Sequence, residues 1–229
     1  MASVRYFSPG TFSFLSELRT HNNREWFLKN KKRYEAEVRD PMLRFIADLG
    51  PALRKINPNI IADPSPTRGS MMRIYRDTRF SPDKSPYKTF VAAHFWHRKC
   101  KDGSAPGYYL RLMPGDSLLG GGVWHPEAPV LKKLRDAIVT NPKRWSRIRS
   151  DKKLTAAYTM GGESLKTAPR GYDPSHPLIE DIKRKDFIFG RSLDDKEVVA
   201  RDFLETTVEA FRAMAPFIAF LSEALDLEG

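Results

Sequence analysis

The sequence predicts an α+β fold: a central antiparallel sheet of about four to five strands, flanked by N-terminal and C-terminal helices. Three observations predict it. Apolar residues recur at helical spacing before residue 57 and again after residue 126. Between those regions the pattern alternates, as in strands. The connections between alternating segments are short, which joins neighbours as hairpins and not through helical crossovers.

The elements follow in order. Residues 11–20 place Phe14, Leu15 and Leu18 on one helical face. Asn22-Asn23-Arg24-Glu25 reads as a helix start, an Asn cap with Glu25 placed to reach back as in a capping box. The helix it opens carries Trp26, Phe27, Tyr34 and Val38. Asp40-Pro41 reads as the cap and first residue of another helix, with Met42, Phe45, Ile46, Leu49 and Leu53 inward. Residues 57–69, rich in Pro, Asn and Ser, form a loop.

Strands are expected over 71–76, 89–98, 107–113 and 118–124, the last interrupted by Gly120-Gly121-Gly122. Alternation puts Arg73 and Tyr75 on one side of the first strand and Met72, Ile74 and Arg76 on the other. A helix is expected over 129–140, a loop over 161–175, a helix over 176–185 and a short strand over 187–189. Ser192 with Asp195 would cap a terminal helix bearing Phe203, Leu204, Val208, Phe211 and Met214. The whole, residues 1–229, reads as a single α+β domain, long enough for a real core.

Cys100 is the only cysteine, so no intramolecular disulfide and no cysteine-based zinc site can form; a cytoplasmic setting is expected. No apolar run approaches the ~18 residues of a membrane span, and the first residues lack the apolar stretch of a signal peptide. No membrane partner, metal or cofactor is called for: the chain has no zinc-binding histidine motif, dinucleotide fingerprint or P-loop.

Net charge is +11. Residues 51–113 hold 12 basic and 4 acidic side chains, whereas residues 114–229 hold 18 of each. The excess surrounds Arg73-Ile74-Tyr75-Arg76-Asp77-Thr78-Arg79-Phe80-Ser81-Pro82-Asp83-Lys84-Ser85-Pro86-Tyr87-Lys88. Guanidinium groups match carboxylate or phosphate oxygens in pairs, and lysine adds a mobile point charge. Pro82 and Pro86 would fix the loop's shape in advance. Arg73, Arg76, Arg79, Lys84 and Lys88 are therefore candidate ligand-binding residues, with Arg111 from the third strand and Arg170 from the Lys166–Arg170 loop. Gly121 stands either where a ligand nears the backbone or under a bulky side chain. Asp77 and His125 are the candidate acid–base groups. Against this reading stands an internal lattice, with Asp77 on Arg76 or Arg79 and Asp83 on Lys84. Five cations outnumber two carboxylates, which favours a ligand.

The same stretch resembles the hallmark of the uncharacterised family catalogued as domain of unknown function 2461. Asn22-Asn23-Arg24-Glu25-Trp26-Phe27, Gly107-Tyr108-Tyr109-Leu110, Gly120-Gly121-Gly122-Val123-Trp124 and Pro169-Arg170-Gly171-Tyr172 are similar to its pattern, over roughly residues 6–221. The resemblance implies one α+β domain of soluble, mostly bacterial proteins, and it carries no activity or catalytic residue with it.

The expected function is binding of a phosphate- or carboxylate-bearing ligand. If the protein is an enzyme, phosphoryl or phosphodiester chemistry suits the cations best. Two alternatives remain. One is nucleic-acid binding, with the basic run 143–153 extending the patch and Tyr75, Phe80, Tyr87 or Trp96 stacking on bases. The other is a scaffold whose arginines form structural ion pairs.

Overall fold

A computed structural model of the chain describes residues 4–100 and 104–227. Its helices are α1 (Pro9–Thr20), α2 (Arg24–Lys29), α3 (Lys31–Tyr34), α4 (Asp40–Ile56), α5 (Ala128–Thr140), α6 (Pro142–Arg149), α7 (Lys152–Thr155), α8 (Ile179–Ile182), α9 (Asp195–Val198) and α10 (Phe203–Ala224). The strands are β1 (Val91–Phe95), β2 (Gly107–Leu112), β3 (Ser117–Val123), β4 (Thr159–Gly161) and β5 (Phe187–Leu193). They form one antiparallel five-stranded sheet in the order β1-β2-β3-β5-β4. The α+β class expected from the sequence is thus the class observed.

Several boundaries differ, each for a physical reason. The cap of α2 is Asn23, whose side chain accepts the Trp26 N–H at 2.9 Å. Glu25 then falls too early to close a capping box and pairs with Lys29 instead. α4 does open at Asp40-Pro41, but Asp40 is its first residue and not its cap, because a π-helical turn at Glu35–Arg39 leads into it from α3. Residues 71–76 are not a strand. They touch their neighbour only at the isolated bridges Met71↔Ala93 and Tyr75↔Tyr87. β5 runs on to Leu193, and β4 pairs with its first half, Met160 opposite Phe189. Ser192 lies within β5 and not at a helix start. Asp194 caps α9 in a box with Glu197, and α10 starts later, at Phe203. Of the helix expected over 176–185, only α8 forms.

The chain divides into two compact units. The first comprises Met1–Phe95, Tyr109–Leu119 and Ser192–Glu209. Its core is aromatic: Phe45 stacks on Phe203 at 5.4 Å, and Phe7 packs against both. α4 lays Met42, Phe45, Ile46, Leu49 and Leu53 inward, all fully buried.

The second unit comprises Trp96–Tyr108, Gly120–Arg191 and Ala210–Gly229. Trp145 is its centre, fully buried against Phe187, Phe217 and Phe220. Its indole N–H donates to Asp181 Oδ2 at 2.9 Å, so the ring carries no orphan donor into the core. Asp181 also takes the Arg149 guanidinium at 3.0 Å.

Candidate functional site

Residues 70–76 run against residues 86–94 as an open ladder. Lys88 donates its backbone N–H to Ile74 O at 2.7 Å, and Arg76 donates its own to Pro86 O at 2.9 Å. Asn22 reinforces the ladder at Tyr87. It accepts the Tyr87 N–H at 3.0 Å and donates to the Tyr87 carbonyl at 2.9 Å. The Tyr87 ring stacks on Phe27 at 4.1 Å. Between the two limbs, residues 77–85 form a tied loop.

Asp83 ties one half of that loop. It accepts the Ser85 N–H at 2.9 Å, and it bonds the Ser85 hydroxyl and the Arg76 guanidinium. Those donors, the hydroxyl first, hold its carboxyl well below the usual carboxylate range. Asp77 ties the other half. Arg79 grips it in two places, at 3.0 and 2.7 Å, and holds its carboxyl low as well. Lys84 donates to Thr78 O at 3.0 Å. At the tip, Phe80 is 93% exposed, with the Arg79 guanidinium 5.7 Å from its ring centroid.

A cleft of about 600 Å³ opens beside the loop. Arg76, Lys88, Asp77 and Asp83 line it, together with Arg19, Asn22 and Phe90. The Lys88 ammonium donates to the Arg73 carbonyl at 3.0 Å. Among the described residues no carboxylate lies within ion-pair distance of Lys88, Arg73, Lys84 or Arg19. Burial, and then the neighbouring Arg73 charge, push the Lys88 pKa down. Phe90 lies between two cations, with Lys88 Nζ 5.9 Å and the Arg111 guanidinium 6.0 Å from its centroid. Arg111 in turn pairs with Asp116 at 2.8 Å.

The structure therefore brings Arg76, Asp77 and Lys88 to one cleft and places Arg111 beside its Phe90 wall. Arg76, Arg79 and Arg111 each carry a carboxylate already. Asp83 partners Arg76, not Lys84. Sequence reasoning missed Arg19 and the clamp role of Asn22. Arg19 carried no local signal, being one more polar residue in the last turn of α1. Asn22 did stand in a helix-start pattern, but as a cap.

Gly121, His125 and Arg170 belong to the second unit. Gly121 is buried, and a Cβ there would stand 2.9 Å from Tyr108 Cδ1. His125 follows β3 and gives its backbone N–H to Asp186 Oδ1 at 2.7 Å. Arg170 is exposed at a turn where Tyr172 N–H donates to Pro169 O at 3.2 Å. In the basic run, Arg144 pairs with Glu223 and Arg149 with Asp181, while Lys143, Arg147, Lys152 and Lys153 are exposed. Among the described residues, no group of three or more His, Cys, Asp or Glu side chains is placed to hold a metal ion, and no helix is long and apolar enough to cross a membrane.

The sequence model of a family described as conserved hypothetical protein (DUF2461) matches residues 10–220. No curated protein and no solved structure matches the chain.

Proposed function

The chain belongs to the DUF2461 family of conserved hypothetical proteins, and we propose that its first unit binds a phosphate- or carboxylate-bearing ligand in the cleft beside Lys88. One observation carries this reading. Lys88 is a half-buried cation at the cleft wall that meets a carbonyl and the Phe90 ring but, among the described residues, no carboxylate, with Arg73 alongside raising the local positive potential. A partly desolvated charge without a counter-ion is costly, and an anion in the cleft removes that cost. Arg73 and Arg19 reinforce the attraction. Arg76 is held in place by Asp83, so it meets the ligand without further ordering. Phosphoryl or phosphodiester chemistry is the reaction class such cations serve, by stabilising charge. The lone Cys100 fits a cytoplasmic setting.

The test is thermal unfolding with inorganic phosphate and a panel of phosphorylated metabolites. A ligand at 100 times its Kd adds about 2.7 kcal/mol of stability. Lys88→Met is expected to melt higher than the wild type without ligand, since it removes the uncompensated charge, and to lose the ligand-induced rise. No rise with any member of the panel, or an equal rise in Lys88→Met, rejects this site.

A second reading rests on Phe80. An aromatic ring this exposed, with the Arg79 guanidinium beside it, suits stacking on a nucleic-acid base. Binding to a strand would then weaken steeply with salt and drop in Phe80→Ala. A small anion in the cleft would be indifferent to that substitution.

A further inference from the structure

The second unit holds a buried carboxylate that the cleft does not use. Asp186 is fully enclosed, yet three groups converge on it. Its Oδ1 accepts the His125 backbone N–H at 2.7 Å and lies 3.3 Å from His125 Nδ1. Its Oδ2 accepts the Glu163 backbone N–H at 2.8 Å. Both contributing loops bend to reach it. His125 has φ +48°, a left-handed conformation that a non-glycine residue keeps only when its surroundings hold it. Gly162 has φ +89°, and a Cβ there would stand 2.3 Å from Asp186 Cβ. Only glycine lets that loop deliver the Glu163 N–H.

Clamping two loops accounts for the backbone hydrogen bonds. It does not account for the imidazole. A carboxylate beside Nδ1 selects the tautomer with its proton there, which leaves the Nε2 lone pair directed away from Asp186. The His125 side chain is 58% exposed, so that lone pair is reachable. Trp124 stands next to it, ring centroids 4.3 Å apart and tilted by 31°. That indole is 67% exposed, whereas Trp96 and Trp145 are buried. A large aromatic face left open beside an oriented base is a platform for a ligand ring. Nearby, the Arg184 guanidinium lies 3.5 Å from Asp181 and donates to the Gly161 carbonyl, next to Gly162, at 3.1 Å.

We propose that His125 is an acid–base residue, with Asp186 as its positioning residue, for a ligand whose ring stacks on Trp124 and whose hydroxyl meets His125 Nε2. The shared chemistry is that of a nucleoside or a sugar ring. Each offers a face that packs on indole and hydroxyls that donate to an imidazole lone pair. The proton passes from the hydroxyl to Nε2 and back, and no bond to the protein forms.

The test uses the full chain and residues of the second unit alone. In protein labelled with 15N-histidine, the resonances missing from His125→Asn belong to His125; asparagine suits the left-handed backbone there. The Nδ1–H tautomer is expected to dominate, and Asp186→Asn to raise the Nε2–H fraction. Should that variant unfold, the wild-type tautomer decides the point alone. Tryptophan emission is then followed during titration with adenosine and, separately, with a methyl glycoside. A saturable response is expected in one arm, which identifies the ring class. Trp124→Ala abolishes it, and His125→Asn weakens binding about tenfold, the loss expected when a polar partner goes unpaired. An Nε2–H resting tautomer, the absence of a saturable response in both arms, or a response that His125→Asn leaves unchanged overturns the proposal.

Discussion

Asn22 shows how much of the cleft rests on one side chain. An amide carries a donor and an acceptor side by side, so it can satisfy both backbone groups of one residue as a neighbouring strand would. Asn22 does this for Tyr87, and Tyr87 precedes Lys88. In Asn22→Ala the Tyr87 N–H and carbonyl lose their partners in a part-buried position. Stability is expected to fall by about 2–3 kcal/mol in urea unfolding, with the m-value unchanged. A change below about 0.5 kcal/mol, the size of an ordinary surface substitution, rules out the clamp. The sequence singled out Asn22 as a cap, and the neighbouring Asn23 performs that role. The clamp itself was illegible, because its partner lies 65 residues away and no local pattern encodes it.

Elements were legible where the signal is local and obscured where a distant group supplies the missing bond. Asp40-Pro41 is the instructive case. Proline has no N–H, so the Glu37 carbonyl one turn earlier loses its normal donor, and a helix usually stops there. Here the chain widens into the π-helical turn Glu35–Arg39 and continues. Thr11, buried in α1, donates its hydroxyl to that freed Glu37 carbonyl at 2.8 Å. The helix start at Asp40-Pro41 was thus legible, whereas the helical entry into it was not, because the compensating bond comes from a residue on another helix. Thr11→Val keeps the shape and removes the hydroxyl. It is expected to cost about 1–3 kcal/mol, the penalty of an orphaned buried acceptor, while Thr11→Ser costs less. A Thr11→Val variant as stable as the wild type, with the loss confined to Thr11→Ser, would show that packing of the Thr11 methyl matters and the hydrogen bond does not. Residues 71–76 teach the converse. Ile74 is buried and Arg73 and Tyr75 are exposed, but Met72, expected on the Ile74 face, is exposed too, and the segment pairs only at two bridges. Alternation reports which face is buried, not whether a ladder is continuous.

At the scale of the whole molecule, charge sets the response to acid. The chain carries +11 before any histidine protonates, so each added proton works against existing repulsion. Burial pushes the His94 pKa below its ordinary value. His97 is pushed down too, by burial first and then by Lys99 and Arg98. Its Nδ1 accepts the Lys99 N–H at 3.3 Å, and its Nε2 has no hydrogen-bond partner among the described residues. A histidine whose folded pKa lies below its unfolded value of about 6.5 favours the native state when neutral. Its contribution is complete above that unfolded pKa and is lost as pH falls toward the folded one. The paired carboxylates act lower. Asp77, Asp83 and Glu17 all have depressed values, so their contributions hold above the ordinary carboxylate range and disappear only in stronger acid. Calorimetry across this range should therefore show the melting temperature falling in two stages, the first beginning just below pH ~6.5 and the second below about pH 4. In a His94→Gln/His97→Gln variant the first stage should vanish and the second persist. A wild-type melting temperature that stays level from pH ~7 to ~5 would contradict the assignment of the first stage to these two rings.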